Sequence, residues 1–122
     1  MEQINPRIMA ILTELKEALS NFASSGKTHR IFLGSIGLPE PEQVELLELL
    51  GEGELSIDLK NLDEPVTWYE TNYAGIWVGT FRNLRGEAIL RTIEVCAYPE
   101  LAASQQEDVN AALGKFDILF EH

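Results

Sequence analysis

The first pattern in the chain is a stripe of apolar residues at helical spacing. Its members are Ile8, Ile11, Leu12, Leu15, Leu19 and Phe22. Asn5 followed by Pro6 is typical of a helix start, because Asn caps the first turn and Pro is tolerated where an N–H has no partner. The run Ser24-Ser25-Gly26 ends the pattern. We therefore predict an amphipathic N-terminal helix within residues 1–26.

A second helix is predicted over residues 40–50, with Val44, Leu47 and Leu50 facing inward. Its glutamates cluster in the first turns, where the helix dipole favours negative charge. Residues 30–33 between the two helices fit either a short strand or a linker.

The middle of the chain alternates with the period of a β-strand. Residues 55–60 alternate apolar and polar side chains, and residues 66–71, 76–81 and 88–96 are rich in aromatic and β-branched residues. A turn at residues 83–86 separates the last two segments. Because connections this short do not allow parallel crossovers, we expect antiparallel neighbours.

Tyr98-Pro99 starts a last helical segment, which Ser104-Gln105-Gln106 could break in two. Its apolar positions are Leu101, Val109, Ala112, Leu113 and Phe116. The predicted order is α-α-β-β-β-β-α. We therefore expect an α+β fold, a four-stranded antiparallel meander with helices packed on one face, in a single domain over residues 1–122.

The charge of the chain is uneven and acidic. Nine basic residues stand against 20 acidic ones, a formal charge of −11. Residues 38–70 hold ten acidic residues and Lys60 alone, which gives −9. A phosphate backbone would repel such a protein, so nucleic-acid binding is not expected. The acidic segment is either a solvated face or a docking surface for a basic partner.

Three features of the sequence bear on the cellular location of the protein. No run of about 18 apolar residues is present, so no membrane insertion is expected. The first residues lack the pattern of a secretory signal, and a single cysteine, Cys96, rules out an internal disulfide. We therefore expect a cytoplasmic protein.

Gly51 and Gly53 raise the question of a phosphate-binding loop. Such loops run from a strand into a helix, whose N-terminal N–H groups meet the anion. Here a predicted helix precedes and a strand follows, and Glu52 and Glu54 add negative charge. We interpret Gly51 as the residue just past the helix, in left-handed geometry.

Catalytic and metal-binding motifs are weak. The histidines, His29 and His122, and Cys96 cannot supply a four-ligand zinc site, and no cofactor is expected. Glu94 lies two positions before Cys96 on the same face of a strand. It should raise the pKa of the thiol, so we interpret Cys96 as a buried structural residue. Glu70 and Glu94 could form an acid/base pair across the sheet, or Glu70 could pair with an arginine, Arg82 or Arg91.

Five aromatic residues cluster within 14 positions. They are Trp68, Tyr69, Tyr73, Trp77 and Phe81. At least two should lie in the core, because strand residues alternate between faces. Outward aromatic residues beside Arg82 would have the composition of a binding hot spot, suited to a basic and partly apolar peptide.

Three segments carry a family resemblance. "LLGEGELSI", "ETNYAGIWVGTF" and "LRTIEVCAYPELA" resemble the conserved C-terminal region of the HupH/HyaF/HoxQ hydrogenase expression proteins, over residues 33–116. The resemblance implies an accessory role in maturing uptake [NiFe] hydrogenases, with the iron–sulfur small subunit attended before its export by the twin-arginine pathway. No cofactor or active-site residue carries over. Longer family members have an additional N-terminal half, and Asn72-Tyr73 replaces smaller residues.

The leading hypothesis is a non-enzymatic, chaperone-like factor that binds the hydrogenase small-subunit precursor or other maturation proteins. The predicted contact residues are Trp68, Tyr69, Tyr73, Trp77 and Arg82, with Glu45, Glu48, Glu52 and Glu54 for electrostatic attraction. Two alternatives stay open. One is a small hydrolase or isomerase that uses Glu70 and Glu94. The other is a structural homo-oligomer, such as a homodimer, paired through the N-terminal helix stripe or a strand edge.

Overall fold

The computed structural model of the protein describes residues 3–60 and 63–121. In this part of the chain, three α-helices and five strands follow one another. They are α1 (Pro6–Ser25), β1 (His29–Phe32), α2 (Glu40–Leu50), β2 (Ser56–Leu59), β3 (Val66–Glu70), β4 (Ile76–Arg82), β5 (Ala88–Val95) and α3 (Gln106–Phe120). Two 3₁₀ turns, Leu33–Ser35 and Glu100–Ala102, complete the set.

The strands form one antiparallel sheet in the order β1-β5-β4-β3-β2. The expected α+β class is confirmed, but the expected four strands and their order are wrong. β1 is a fifth strand, and it pairs at the sheet edge with β5 through Ile31 opposite Ile93. A four-residue segment is too short to show a strand period, and its partner lies more than sixty residues away, so sequence periodicity could not settle it.

α1 begins where the sequence predicts. The side chain of Asn5 accepts a hydrogen bond of 2.7 Å from the backbone N–H of Arg7, and Pro6 occupies the first turn. The Arg7 guanidinium and the Asn5 amide both bind the carboxylate of Glu42, so the start of α1 is tied to the start of α2. Hydrogen bonding from Arg7 holds the pKa of Glu42 below its ordinary value.

α1 and α2 pack on the same face of the sheet, which we call the helix-covered face. The buried residues of this core are Ile8, Ile11, Leu15, Ala18, Ile31, Leu33, Leu38, Leu46, Leu50, Ile76, Ile93 and Val95. In α2, the prediction that Val44 faces inward is wrong: Leu46 and Leu50 are buried and Val44 is exposed. This eleven-residue helix contains four leucines and a valine, which are spread around its circumference. Its sequence is therefore compatible with two different buried stripes, and packing against the sheet buries the stripe that contains Leu46.

The other side of the sheet, which we call the open face, has a smaller core of Val66, Trp68, Trp77 and Cys96. Its cover is the turn after β5, where Pro99 is buried and Ala102 packs against the cluster. The expectation that all helices pack on one face is wrong for α3, because none of its residues is buried.

Candidate partner-binding site

A tight corner joins α2 to β2. The Gly51 N–H donates to the carbonyl of Leu47 at 2.9 Å, and the Asn72 N–H donates to the carbonyl of Leu50 at 3.0 Å. Gly51 has φ +71°, as predicted, but its ψ of −175° is extended and not left-handed helical. This region of backbone space is essentially restricted to glycine.

Gly53 is needed for a different reason. Its N–H donates to the carbonyl of Glu70 at 2.7 Å, and a Cβ there would lie 2.7 Å from the carbonyl oxygen of Thr71. The two glycines thus serve a close backbone approach between the corner and β3. The predicted order of helix then strand around Gly51 is confirmed, and carbonyl groups of the α2 C-terminus therefore face the corner, which argues against a phosphate-binding loop.

A cleft of about 360 Å³ opens beside this corner, between α2 and strands β3, β4 and β5. We call it the acidic cleft. Its lining residues are Val44, Leu47, Glu48, Gly51, Glu52, Tyr69, Val78, Thr80 and Arg91. The cleft combines two exposed carboxylates with a half-buried phenol and an apolar wall from α2.

Tyr69 is the residue of the acidic cleft on which the charges of both Glu52 and Arg91 act. Burial raises the pKa of Tyr69, the nearby Glu52 carboxylate raises it further, and Arg91 acts in the opposite direction. Tyr69 is therefore a neutral phenol at physiological pH, able to donate a hydrogen bond and to offer its ring to a cation. With two glutamates against one arginine, the cleft keeps an excess of negative charge, which favours a guanidinium or ammonium group.

An apolar groove of about 380 Å³ lies on the other side of the α2 C-terminus. It is lined by Leu12, Leu15, Lys16, Leu19, Leu50, Tyr73 and Ile76. Tyr73 is 53% exposed at its rim. Leu47 and Gly51 border the acidic cleft, and Leu50 borders the apolar groove, so the two concavities adjoin across the last turn of α2.

Four of the predicted contact residues therefore come together around one corner: Glu48, Glu52 and Tyr69 in the acidic cleft and Tyr73 in the apolar groove. Sequence reasoning did not assign the apolar residues of the groove to a site. Leu12 and Leu19 belong to the predicted apolar stripe of α1, but they are only partly buried in the core. The width of this stripe was the sequence signal that could have indicated an apolar groove.

The remaining predicted contacts lie elsewhere. Trp68 and Trp77 are buried on the open face, at 0% and 3% exposure, so two of the five aromatic residues belong to the core as expected. They offer no surface to a partner. Strand alternation directs both side chains to the open face, where the segment that carries Ala102 packs against their cluster. Arg82 stands at the opposite end of β4 from Ile76, where it donates to the carbonyl of Gly86 at 3.1 Å.

Glu45 and Glu54 are exposed near the corner but do not line either concavity. They contribute charge to the surrounding surface at longer range. Their effect on a partner is therefore screened by salt more strongly than that of a cleft carboxylate.

Glu70 and Glu94 both lie on the open face, separated in register by Trp77. The Glu94 carboxylate accepts hydrogen bonds from the Trp68 indole at 2.9 Å and from the Thr92 hydroxyl at 3.1 Å, and it pairs with Arg30 at 3.4 Å. Each of the two carboxylates is thus committed to its own partners, since Glu70 accepts from the backbone N–H of Gly75 at 3.1 Å. This arrangement does not form an acid/base dyad.

Cys96 is buried beside this network. Burial and the Glu94 carboxylate raise the pKa of its thiol to about 11, which confirms the interpretation of a structural, unactivated cysteine. Within residues 3–60 and 63–121, no group of three or more metal-ligating side chains comes together. His122, considered above as a ligand, lies outside the described residues. None of the described helices is long and apolar enough to cross a membrane.

Comparison with known proteins gives consistent matches. The model of the HupH hydrogenase expression protein C-terminal conserved region matches residues 7–121. The hydrogenase expression/formation protein HupQ of Azotobacter chroococcum mcd 1 is 32% identical over 102 residues, which are 82% of this chain and 36% of HupQ. The corresponding protein HoxQ of Azotobacter vinelandii is 32% identical over 97 residues, 80% of this chain and 33% of HoxQ.

The chain thus spans about a third of the length of the curated relatives it matches. A solved structure, the hydrogenase expression protein HupH from Thiobacillus denitrificans ATCC 25259, superposes with a TM-score of 0.89 at 29% sequence identity. The superposition covers 96% of this chain and 97% of that one.

Proposed function

The chain belongs to the HupH hydrogenase expression protein family, and we propose that it is a non-catalytic accessory factor in the maturation of a [NiFe] hydrogenase. In this proposal it binds the small-subunit precursor in the cytoplasm, before export. The observation that carries the proposal is the adjacency of the acidic cleft and the apolar groove across the last turn of α2.

The two concavities suit the chemistry of the expected ligand. A precursor leader with paired arginines followed by an apolar run presents cationic and apolar groups in succession. Guanidinium groups would bind the carboxylates of Glu48 and Glu52 and stack on the ring of Tyr69. The apolar run would lie in the groove against Leu12 and Tyr73, where its burial supplies affinity.

Charge around the corner adds a long-range contribution. Residues 38–70, which supply Glu48 and Glu52 to the acidic cleft, carry a net charge of −9 that attracts a basic segment before contact. Such attraction raises the association rate more than the final affinity and weakens as salt is added. Binding should therefore weaken with ionic strength while the apolar contribution persists.

The proposal of a non-catalytic role rests on the state of the candidate reactive groups. Glu94 is held by Trp68, Thr92 and Arg30, and the thiol of Cys96 is buried with a raised pKa. Neither group is poised for proton transfer or nucleophilic attack.

A deletion strain complemented with variants tests the proposal in the cell. Loss of the gene should reduce hydrogenase activity and leave the small subunit unprocessed, and the wild-type gene should restore both. Glu48→Lys with Glu52→Lys should fail to restore them. Glu17→Lys with Glu121→Lys, which changes charge equally outside residues 38–70, should succeed. Normal hydrogenase maturation in the deletion strain would contradict the proposal.

A further inference from the structure

α3 carries an apolar stripe that the described residues of its own chain leave uncovered. The stripe consists of Val109, Ala112, Leu113, Phe116, Leu119 and Phe120. None of these residues is buried, and the rings of Phe116 and Phe120 lie 6.1 Å apart along the helix. An isolated helix of this length is marginal in water, so α3 gains stability when another surface covers its stripe.

The open face of the sheet carries a matching apolar surface. Leu90, Phe81, Val66 and Leu59 stand directly opposite one another across β5, β4, β3 and β2, in one cross-strand row. Val66 is buried, whereas Leu90 and Leu59 at the two ends are each 36% exposed. The row spans about 14 Å and α3 about 22 Å, so one helix can cover the whole row.

The charges of the two surfaces are also complementary. Along α3, Glu107, Asp108 and Asp117 stand against Lys115, a net charge of −2. At the end of the row near Leu90, residues 82–87 contain Arg82 and Arg85 against Glu87, a net charge of +1. This hairpin is a basic exception in a chain of net charge −11, and it favours an acidic helix as the occupant of the row.

We propose that α3 of one copy covers the Leu90–Leu59 row of a second copy, and that the second copy returns the same contact in a two-fold dimer. Residues 103–105 join the Glu100–Ala102 turn to α3 with extended backbone at Ala103 and Gln105, and no residue of α3 is buried against its own sheet. The cover that Ala102 begins over Trp68 would be completed by the partner's helix. Reciprocal exchange of one element is a low-cost route to a symmetric dimer.

The proposed interface is independent of the proposed function. It uses the open face, whereas the acidic cleft lies between α2 and the helix-covered face. The dimer would therefore present two unobstructed clefts.

Sedimentation velocity of the full chain, from micromolar to submillimolar concentration, tests the proposal. The wild type should dimerise. Phe116→Glu should give monomers, because Phe116 lies in the stripe. Ile118→Glu is the matched control: Ile118 is exposed to the same extent, 59% against 55%, but points to the opposite side of α3. It should leave the dimer intact.

A second variant and its control test the other side of the proposed interface, the Leu90–Leu59 row. Leu90→Glu should abolish the dimer, and Leu49→Glu, on α2 at similar exposure (42% against 36%), should not. A mixture of Phe116→Glu and Leu90→Glu chains should form mixed dimers, because each variant retains the surface that the other has lost. A wild type that stays monomeric throughout would overturn the proposal. So would loss of the dimer in Phe116→Glu without loss in Leu90→Glu, since that outcome indicates pairing between helices alone.

Discussion

Asn72 closes the corner at the end of α2. Its backbone N–H donates to the carbonyl of Leu50 at 3.0 Å, and its side-chain amide fills the space where a Cβ of residue 51 would stand, 2.1 Å from that position. One residue of the β3–β4 loop thus fixes the turn that separates the acidic cleft from the apolar groove. The geometry of the proposed binding surface depends on this contact.

Gly51→Ala should therefore destabilise the protein. The Asn72 amide can shift, but the backbone at φ +71° and ψ −175° is strained for any residue with a Cβ, at a cost of about 1–3 kcal/mol. Urea unfolding measures the change. Gly114→Ala, in α3 with open space around it, should instead be neutral or stabilising. Equal stability of Gly51→Ala and the wild type would contradict the account of this corner.

Trp68→Phe should cost more stability than Trp77→Phe. Both changes remove a similar volume from the open-face core. Only the Trp68 indole donates to the buried Glu94 carboxylate, whereas the Trp77 indole N–H has no partner among the described residues. Leaving Glu94 short of a donor should lower the free energy of unfolding by about 1–3 kcal/mol beyond the control. Thermal or urea denaturation of the two variants gives the difference, and equal losses would refute the role of this bond.

The thiol of Cys96 should titrate near pH 11 in the folded protein. At pH 8 the folded protein should then hold ~100-fold less thiolate than an ordinary cysteine. The rate of alkylation by iodoacetamide should still rise above pH 10 in the folded protein, whereas in urea it should level off about one pH unit above the ordinary cysteine pKa of about 8.5. Coincident pH profiles in the two states would contradict the predicted burial effect.

The raised pKa of Cys96 also makes stability depend on pH. Folding favours the protonated thiol, so this stabilisation is complete below the pKa of the unfolded chain and is lost as pH rises toward about 11. Between these limits the free energy of unfolding should fall more steeply in the wild type than in Cys96→Ala. A parallel decline in both proteins would assign the effect to other groups.

Tyr73→Ala should separate binding from stability. Because Tyr73 is exposed at the rim of the apolar groove, its truncation should leave the unfolding midpoint nearly unchanged, within about 0.5 kcal/mol. Affinity for the small-subunit precursor should fall by about 1–2 kcal/mol, which is roughly 5- to 30-fold. Tyr98→Ala, a comparably exposed tyrosine outside the groove, is the control and should bind normally.

Much of the fold was predictable because its signals are local. The Asn5-Pro6 start of α1 and the 40–50 limits of α2 follow from capping and periodicity over a few residues. β1 was not predictable in this way, since only Ile31 is buried in its four residues and the strand is defined by pairing with distant β5. Long-range pairing leaves little trace in a short segment.

The candidate site was predictable in residue type but not in placement. Composition indicated that acidic and aromatic residues form the site. Both faces of β4 carry apolar side chains, however, so the alternation of residues could not show which aromatic residues the rest of the chain covers. The burial of Trp77 depends on the turn around Ala102, which no strand pattern encodes. Tyr73 escapes the ambiguity because it lies in the loop after β3, where exposure is the rule.

The most direct test of the central claim is calorimetric titration of the full chain with the hydrogenase small-subunit precursor at low salt. We expect saturable binding that weakens with added salt and falls at least tenfold for Glu48→Lys with Glu52→Lys. The control with equal charge change outside residues 38–70, Glu17→Lys with Glu121→Lys, should bind like the wild type. No binding by the wild type, or equal loss in both charge-reversal variants, would contradict the assignment of the acidic cleft as the binding site.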